Sequence, residues 1–134
     1  MKNHYILDTS VYLTYAAYDK IYRLVNAVII YELSIFINQT LLDELEKNTA
    51  RVLRLDSVTV EKIMKEILSF TTFVTTLPAY SNSPDPKDNF LFDLALQTQS
   101  EVIVTQEKAL LNFEQSPVAI HDLKWFKETF PVPL

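Results

Sequence analysis

Short runs of apolar, β-branched or aromatic residues alternate with helix-patterned stretches along the whole chain, and no other feature restricts the fold as much. A strand, a helix and a further strand close most readily as a right-handed crossover between parallel neighbours. Repeated units therefore build a mostly parallel sheet covered on both faces. The strand-like segments are residues 4 to 7, a stretch inside 28 to 37, then 70 to 77, 101 to 105 and 118 to 120. Helical spacing runs through 11 to 27 and through 40 to about 69, with a break near Asp56-Ser57 and Ser57 as the cap of the second piece. Further helices follow the Pro-, Asn- and Ser-rich loop 78 to 86, ending near 99, and occupy 107 to 112 and 121 to 128. The expected fold class is α/β: a three-layer α/β/α sandwich with a mostly parallel central sheet of about five strands. A chain of 134 residues is expected to form one domain, 1 to 134.

Composition then removes whole classes of function. The chain has no glycine, which excludes the P-loop, the dinucleotide fingerprint and the kinase glycine loop, all of which need a backbone without Cβ against phosphate. It has no cysteine, which excludes disulfides and thiolate zinc sites. A formal charge of −5 gives no bulk attraction to nucleic acid or anionic membrane, so any such contact must be local. The most apolar stretch, Val25 to Ile37, is interrupted by Asn26 and Glu32 and falls short of a membrane span. Met1 to Tyr5 runs directly into a strand with no signal-peptide pattern, so a soluble, cytoplasmic protein without a membrane partner is expected.

In a parallel sheet, ligands bind outside the carboxyl ends of the strands, near the switch in strand order. Three strand exits carry polar clusters: Asp8-Thr9-Ser10, Asn38-Gln39-Thr40 leading to Glu44, and Thr105-Gln106-Glu107. Asp88 opens the helix before the fourth strand. Carboxylates gathered on one sheet edge repel each other, and a hard divalent cation with oxygen ligands relieves that repulsion. With two His and no Cys, Mg2+ or Mn2+ suits this set better than zinc.

Each residue also has a purely structural use. Asp8 can cap the following helix, and Glu44 can be a solvated acid at the margin of an apolar face. Asp85-Pro86-Lys87-Asp88 has the form of a helix start, with Asp85 at the N-cap, Pro86 at N1 and Asp88 at N3. Asp88 nonetheless shares its face with Leu91, Phe92 and Ala95, which must meet the sheet, so its carboxylate needs a partner. Asp43 is placed to pair with Lys47, Glu107 can be the first-turn acid of a short helix, and Asp93 shares a face with Asn89 and Gln97 as a structural or solvated acid. Ser10 and Thr105 suit strand-end hydroxyls.

Taken together, these segments resemble the PIN-domain family, in particular the PIN-type toxins of bacterial toxin–antitoxin pairs. Tyr5-Ile6-Leu7-Asp8-Thr9-Ser10-Val11 resembles the family's opening strand and first metal-site Asp. Thr40-Leu41-Leu42-Asp43-Glu44-Leu45 resembles the segment that supplies a helical Glu. Asp85-Pro86-Lys87-Asp88-Asn89 is similar to the Asp-Pro-x-Asp-Asn motif of one toxin-like branch, and Ser116 to Phe126 resembles the last strand and helix. Val102 to Leu111 is similar to the late strand and turn, with Glu107 where members usually carry Asp. The resemblance implies a metal-dependent endoribonuclease. Asp8, Glu44, Asp88 and Glu107 would be its catalytic and metal-binding residues, and Ser10 and Thr105 would orient ligands or bound water. The longer arm of Glu107 implies weakened activity. Expected partners are an RNA substrate, a cognate antitoxin protein and a second copy in a homodimer.

Tyr12, Tyr15, Tyr18 and Tyr22 crowd the first helical region beyond what one buried face needs, which also favours a dimer surface. Lys47, Arg51 and Arg54, at i, i+4 and i+7, form one stripe on a continuous helix, able to meet phosphates or simply solvated. The competing expectations are a PIN-like binding protein with weak or no nuclease activity and a metal-dependent phosphatase acting on small molecules.

Overall fold

The central strand is β1 (His4–Leu7), as its burial on both faces requires. It pairs in parallel with β2 (Ser34–Ile37) on one side and with β4 (Val102–Val104) on the other. The short outer strands β3 (Thr71–Phe73) and β5 (Ala119–His121) complete a five-stranded, all-parallel sheet of order β3-β2-β1-β4-β5. Among the described residues seven α-helices connect and cover it: α1 (Thr9–Ala17), α2 (Ile21–Tyr31), α3 (Gln39–Val52), α4 (Ser57–Phe70), α5 (Asn89–Gln97), α6 (Lys108–Leu111) and α7 (Leu123–Thr129). This computed structural model describes residues 3 to 133; Met1, Lys2 and Leu134, the ends of the expected domain span, lie outside the described residues.

Connections after β1 and β2 step one way across the sheet, and the connection after β4 steps the other way. With right-handed crossovers, α1 to α4 then fall on one face and α5 and α6 on the other, which gives the α/β/α layering. The reversal in strand order lies between β1 and β4. The crevice outside their carboxyl ends is the expected ligand position, and it is where Asp8 and Thr105 emerge.

Several expected boundaries move, each for a local reason. The single helix expected over 11 to 27 is two helices, because the chain turns at Asp19 with φ of 54° and the Lys20 amide donates to the Tyr15 carbonyl at 2.8 Å. Val28, Ile29 and Ile30, expected within a strand, form the end of α2. Ile21, Leu24 and Ala27 bury one helical face there, and this packing outweighs the β preference of branched residues. The third strand is only Thr71–Phe73, and the residues after Val74 bond elsewhere. Asp56, not Ser57, caps α4, accepting from the Thr59 amide at 2.8 Å. Asp85 is an N-cap as expected, but it opens a single 3-10 turn, Pro86–Asp88, so Asp88 directly precedes α5 instead of lying inside its first turn.

A glycine-free chain must close helix ends with side-chain-bearing residues. Asp19, Glu32, Arg54 and Gln99 all adopt φ of 54° to 55°, where an L-residue pays about 1–2 kcal/mol in steric crowding. The expected tyrosine patch divides in two. Tyr12 and Tyr15 are core residues, whereas Tyr18 and Tyr22 are exposed.

Candidate metal centre

Asp8 ends β1 and begins α1, and both roles use its carboxylate. Its Oδ1 caps the helix by accepting from the Thr9 amide at 2.8 Å. Its Oδ2 accepts from Thr105 Oγ1 at 2.8 Å and from Ser10 Oγ at 3.3 Å. Those two hydroxyls also receive backbone amides, from Glu107 to Thr105 Oγ1 and from Gln106 to Ser10 Oγ, each at 3.0 Å. The exits of β1 and β4 are thus stitched together at the switch point, and Asp8 is held in one orientation with only 5% exposure.

Glu44 approaches from α3. Leu41 and Leu45 bury the same helix against the core, and Asn38 starts it by accepting from the Leu41 amide at 3.0 Å. The Glu44 carboxylate accepts from Thr9 Oγ1 at 2.7 Å, which ties α3 to the first residue after Asp8. Thr9 is therefore a positioning residue that sequence reasoning left without a role. Its signal was the Asp-Thr-Ser run itself, where both hydroxyl residues proved to serve carboxylates.

Asp88 and Glu107 complete the group. Burial pushes the Asp88 carboxyl up to about 7, reinforced by the charge of and hydrogen bond with Glu107 and by the charges of Asp8 and Asp85. Asp8 is also raised, chiefly by burial and further by Glu44 and Glu107, although the bonds from Thr105 and Thr9 oppose the shift. Four carboxylates from four separate chain segments thus act on one another around one sheet edge. The salt bridges among the described residues are the exposed pairs Lys65–Glu61 and Lys124–Glu128, and neither touches this group.

An oxygen-only donor set of this charge fits a hard divalent cation in kind. Among the described residues, however, no three acidic, imidazole or thiolate groups stand together closely enough to hold an ion as they are. The ligand types fit; their spacing is that of an open group.

The other candidates sort differently. Asp93 is buried and structural, its Oδ1 accepting from the Ala79 amide at 3.0 Å and the Tyr80 amide at 2.7 Å. Asp43 accepts from Gln39 Nε2 at 2.7 Å, its one hydrogen bond among the described residues, instead of an ion pair with Lys47. The basic stripe is interrupted: α3 ends at Val52 and Arg54 lies beyond it in a left-handed turn. Lys47 faces a cleft between α3 and α4 that Asp43, Glu46 and Glu61 also line.

Comparison with known proteins agrees with this architecture. A family model described as PIN domain matches residues 4–109. The crystal structure of PAE2754 from Pyrobaculum aerophilum superposes with a TM-score of 0.64 at 21% identity, covering 97% of this chain and 98% of that one. No curated protein matches the chain. The chain belongs to the PIN-domain family, whose members are generally nucleases. Among the described residues no helix is long and apolar enough to cross a membrane.

Proposed function

We propose that this chain is a metal-dependent endoribonuclease hydrolysing RNA phosphodiesters. We assign Asp8, Glu44, Asp88 and Glu107 as its catalytic and metal-binding residues, and Mg2+ or Mn2+ as its ion. The observation that carries this reading is the group of four mutually interacting carboxylates at the switch point, with Asp88 raised to about 7 and no cationic side chain paired to any of them among the described residues. A bound divalent ion would lower the pKa of water and neutralise charge on the phosphate.

The chain's own residues supply the rest. Thr105 and Ser10 fix Asp8, and Thr9 fixes Glu44, so two carboxylates face the crevice in set orientations. We further read the protein as the cytoplasmic toxin of a toxin–antitoxin pair, with a cognate antitoxin as partner and a homodimer as its assembly. The family and the exposed Tyr22 support that reading.

One observation favours a second reading, a PIN-like binding protein with weak or no nuclease activity. The acidic groups are not gathered into a ready set of three, and Glu107 stands in the place of the family's shorter Asp. Incubation with a mixed single-stranded RNA pool separates the two. The nuclease reading expects cleavage in manganese that EDTA stops and Asp8→Asn removes. Intact RNA across magnesium and manganese, with a folded protein, would leave the binding reading.

A further inference from the structure

A group of three cations that join no salt bridge among the described residues lies away from the carboxylates. Between the α1–α2 turn and α7 is a cavity of about 430 Å³, lined by Lys20, Arg23 and Lys127 together with the rings of Tyr15, Tyr18 and Phe130. No acidic residue lines it, and none of its three cations takes part in a salt bridge among the described residues. In a chain with 12 Lys and Arg against 17 Asp and Glu, that local excess departs sharply from the average surface. The walls are aromatic as well as basic. Lys127 Nζ stands 5.7 Å from the Tyr15 ring centroid, and Phe130 packs edge-on against Tyr5 and Phe126. Tyr18 is 72% exposed at the rim, so one ring is free to stack.

Three elements build this arrangement. The left-handed residue Asp19 reverses the chain between α1 and α2 and brings Lys20 and Arg23 back beside Tyr15. Lys127 arrives from α7, and the segment after it closes the wall, with Tyr31 donating a hydrogen bond to the Pro131 carbonyl at 2.5 Å. The volume lies within the range of small-molecule sites. Aromatic faces with guanidinium and ammonium groups recognise a planar base joined to a phosphate, through stacking and charge-assisted hydrogen bonds.

We propose that this cavity binds a nucleoside monophosphate unit, either free or as one link of a single-stranded RNA. None of Asp8, Glu44, Asp88 and Glu107 lines it, so the inference stands independently of the nuclease reading. About 10 Å of α1 separates Tyr15 from Asp8 along the helix axis, so this is a second site and not a lobe of the first.

Backbone NMR titrations in EDTA, which stops any metal-dependent cleavage, test it with AMP and separately with a five-nucleotide RNA. The expected result is saturable shifts at Tyr15, Tyr18, Arg23 and Lys127, with the affinity falling at least tenfold in Arg23→Ala/Lys127→Ala. Response to both probes, or to AMP alone, supports a nucleotide site open to free ligand; response to RNA alone supports a strand-binding site. Shifts absent with both probes overturn the proposal. So does an acidic Glu/Tyr peptide that binds the same residues as tightly as AMP, because the cavity then reads negative charge alone. Exposed Lys20→Glu serves as a second variant should the double substitution fail to fold, and it should weaken AMP binding.

Discussion

Asp88, just before α5, and Asp93, inside it, have opposite surroundings. Asp93 is 6% exposed, and two backbone amides of the strap before α5 donate to its Oδ1. Beside it on the same face, Asn89 accepts from the Ser83 amide at 3.1 Å. Gln97 brackets Leu77, accepting from its amide at 2.9 Å and donating to its carbonyl at 2.7 Å. This row at i, i+4 and i+8 fastens the chain from Leu77 to Ser83 along α5. Asp88 instead meets other carboxylates, and burial with their charge raises it to about 7. A buried acid surrounded by donors stabilises the fold; a half-buried acid among other acids makes the metal-free fold less stable.

The largest stability effect should come from breaking the favourable member. Asp93→Ala strands two backbone amides and should cost about 2–3 kcal/mol, whereas Asp93→Asn keeps the accepting oxygen and should cost clearly less. Urea melts of the three proteins check this; equal midpoints for Ala and Asn would remove Asp93 from the strap's support. Gln97→Ala, at a more exposed position, should cost up to about 1 kcal/mol in the same assay.

The pH dependence sharpens the other side of the comparison. A carboxyl raised in the folded state binds its proton more tightly there than in the unfolded chain. The folded state therefore loses relative stability as pH rises from the ordinary carboxylate range through about 7, and the loss is complete above it. In EDTA, the melting temperature of Asp88→Asn minus that of the unaltered protein should grow from pH 4 to 7 and then level off. A difference that is constant with pH would show that Asp88 titrates normally. The smallest effect lies in neither region: Arg54→Gly relieves a left-handed side-chain residue at the end of α3 and should raise stability by up to about 1 kcal/mol, read from the same melts.

Much of this was legible before any coordinates. The five parallel strands, the switch-point position of Asp8 and Thr105, and the shared face of Asn89, Asp93 and Gln97 all follow from periodicity and crossover rules. What escaped depended on contacts between distant segments. Val28 to Ile30 have strand-like side chains, yet tertiary packing of Leu24 and Ala27 carries the helix through them. Helical spacing singled out Lys47, Arg51 and Arg54, but α3 stops before Arg54. The acid-free group, Lys20, Arg23 and Lys127, comes from two distant parts of the chain and has no sequence spacing to reveal it. Thr9 looked like part of a strand exit, and only the approach of α3 gives its hydroxyl the Glu44 carboxylate.

Asp88→Asn separates a working site from a scaffold role for Asp88 with two readings on one protein. RNA cleavage in manganese should fall on the order of 100-fold or more, while the melting temperature in EDTA at pH 8 stays equal or rises, because a neutral side chain relieves the repulsion with Glu107 and Asp8. Retained cleavage together with a lowered melting temperature would contradict the account and place Asp88 beside Asp93 as a structural acid.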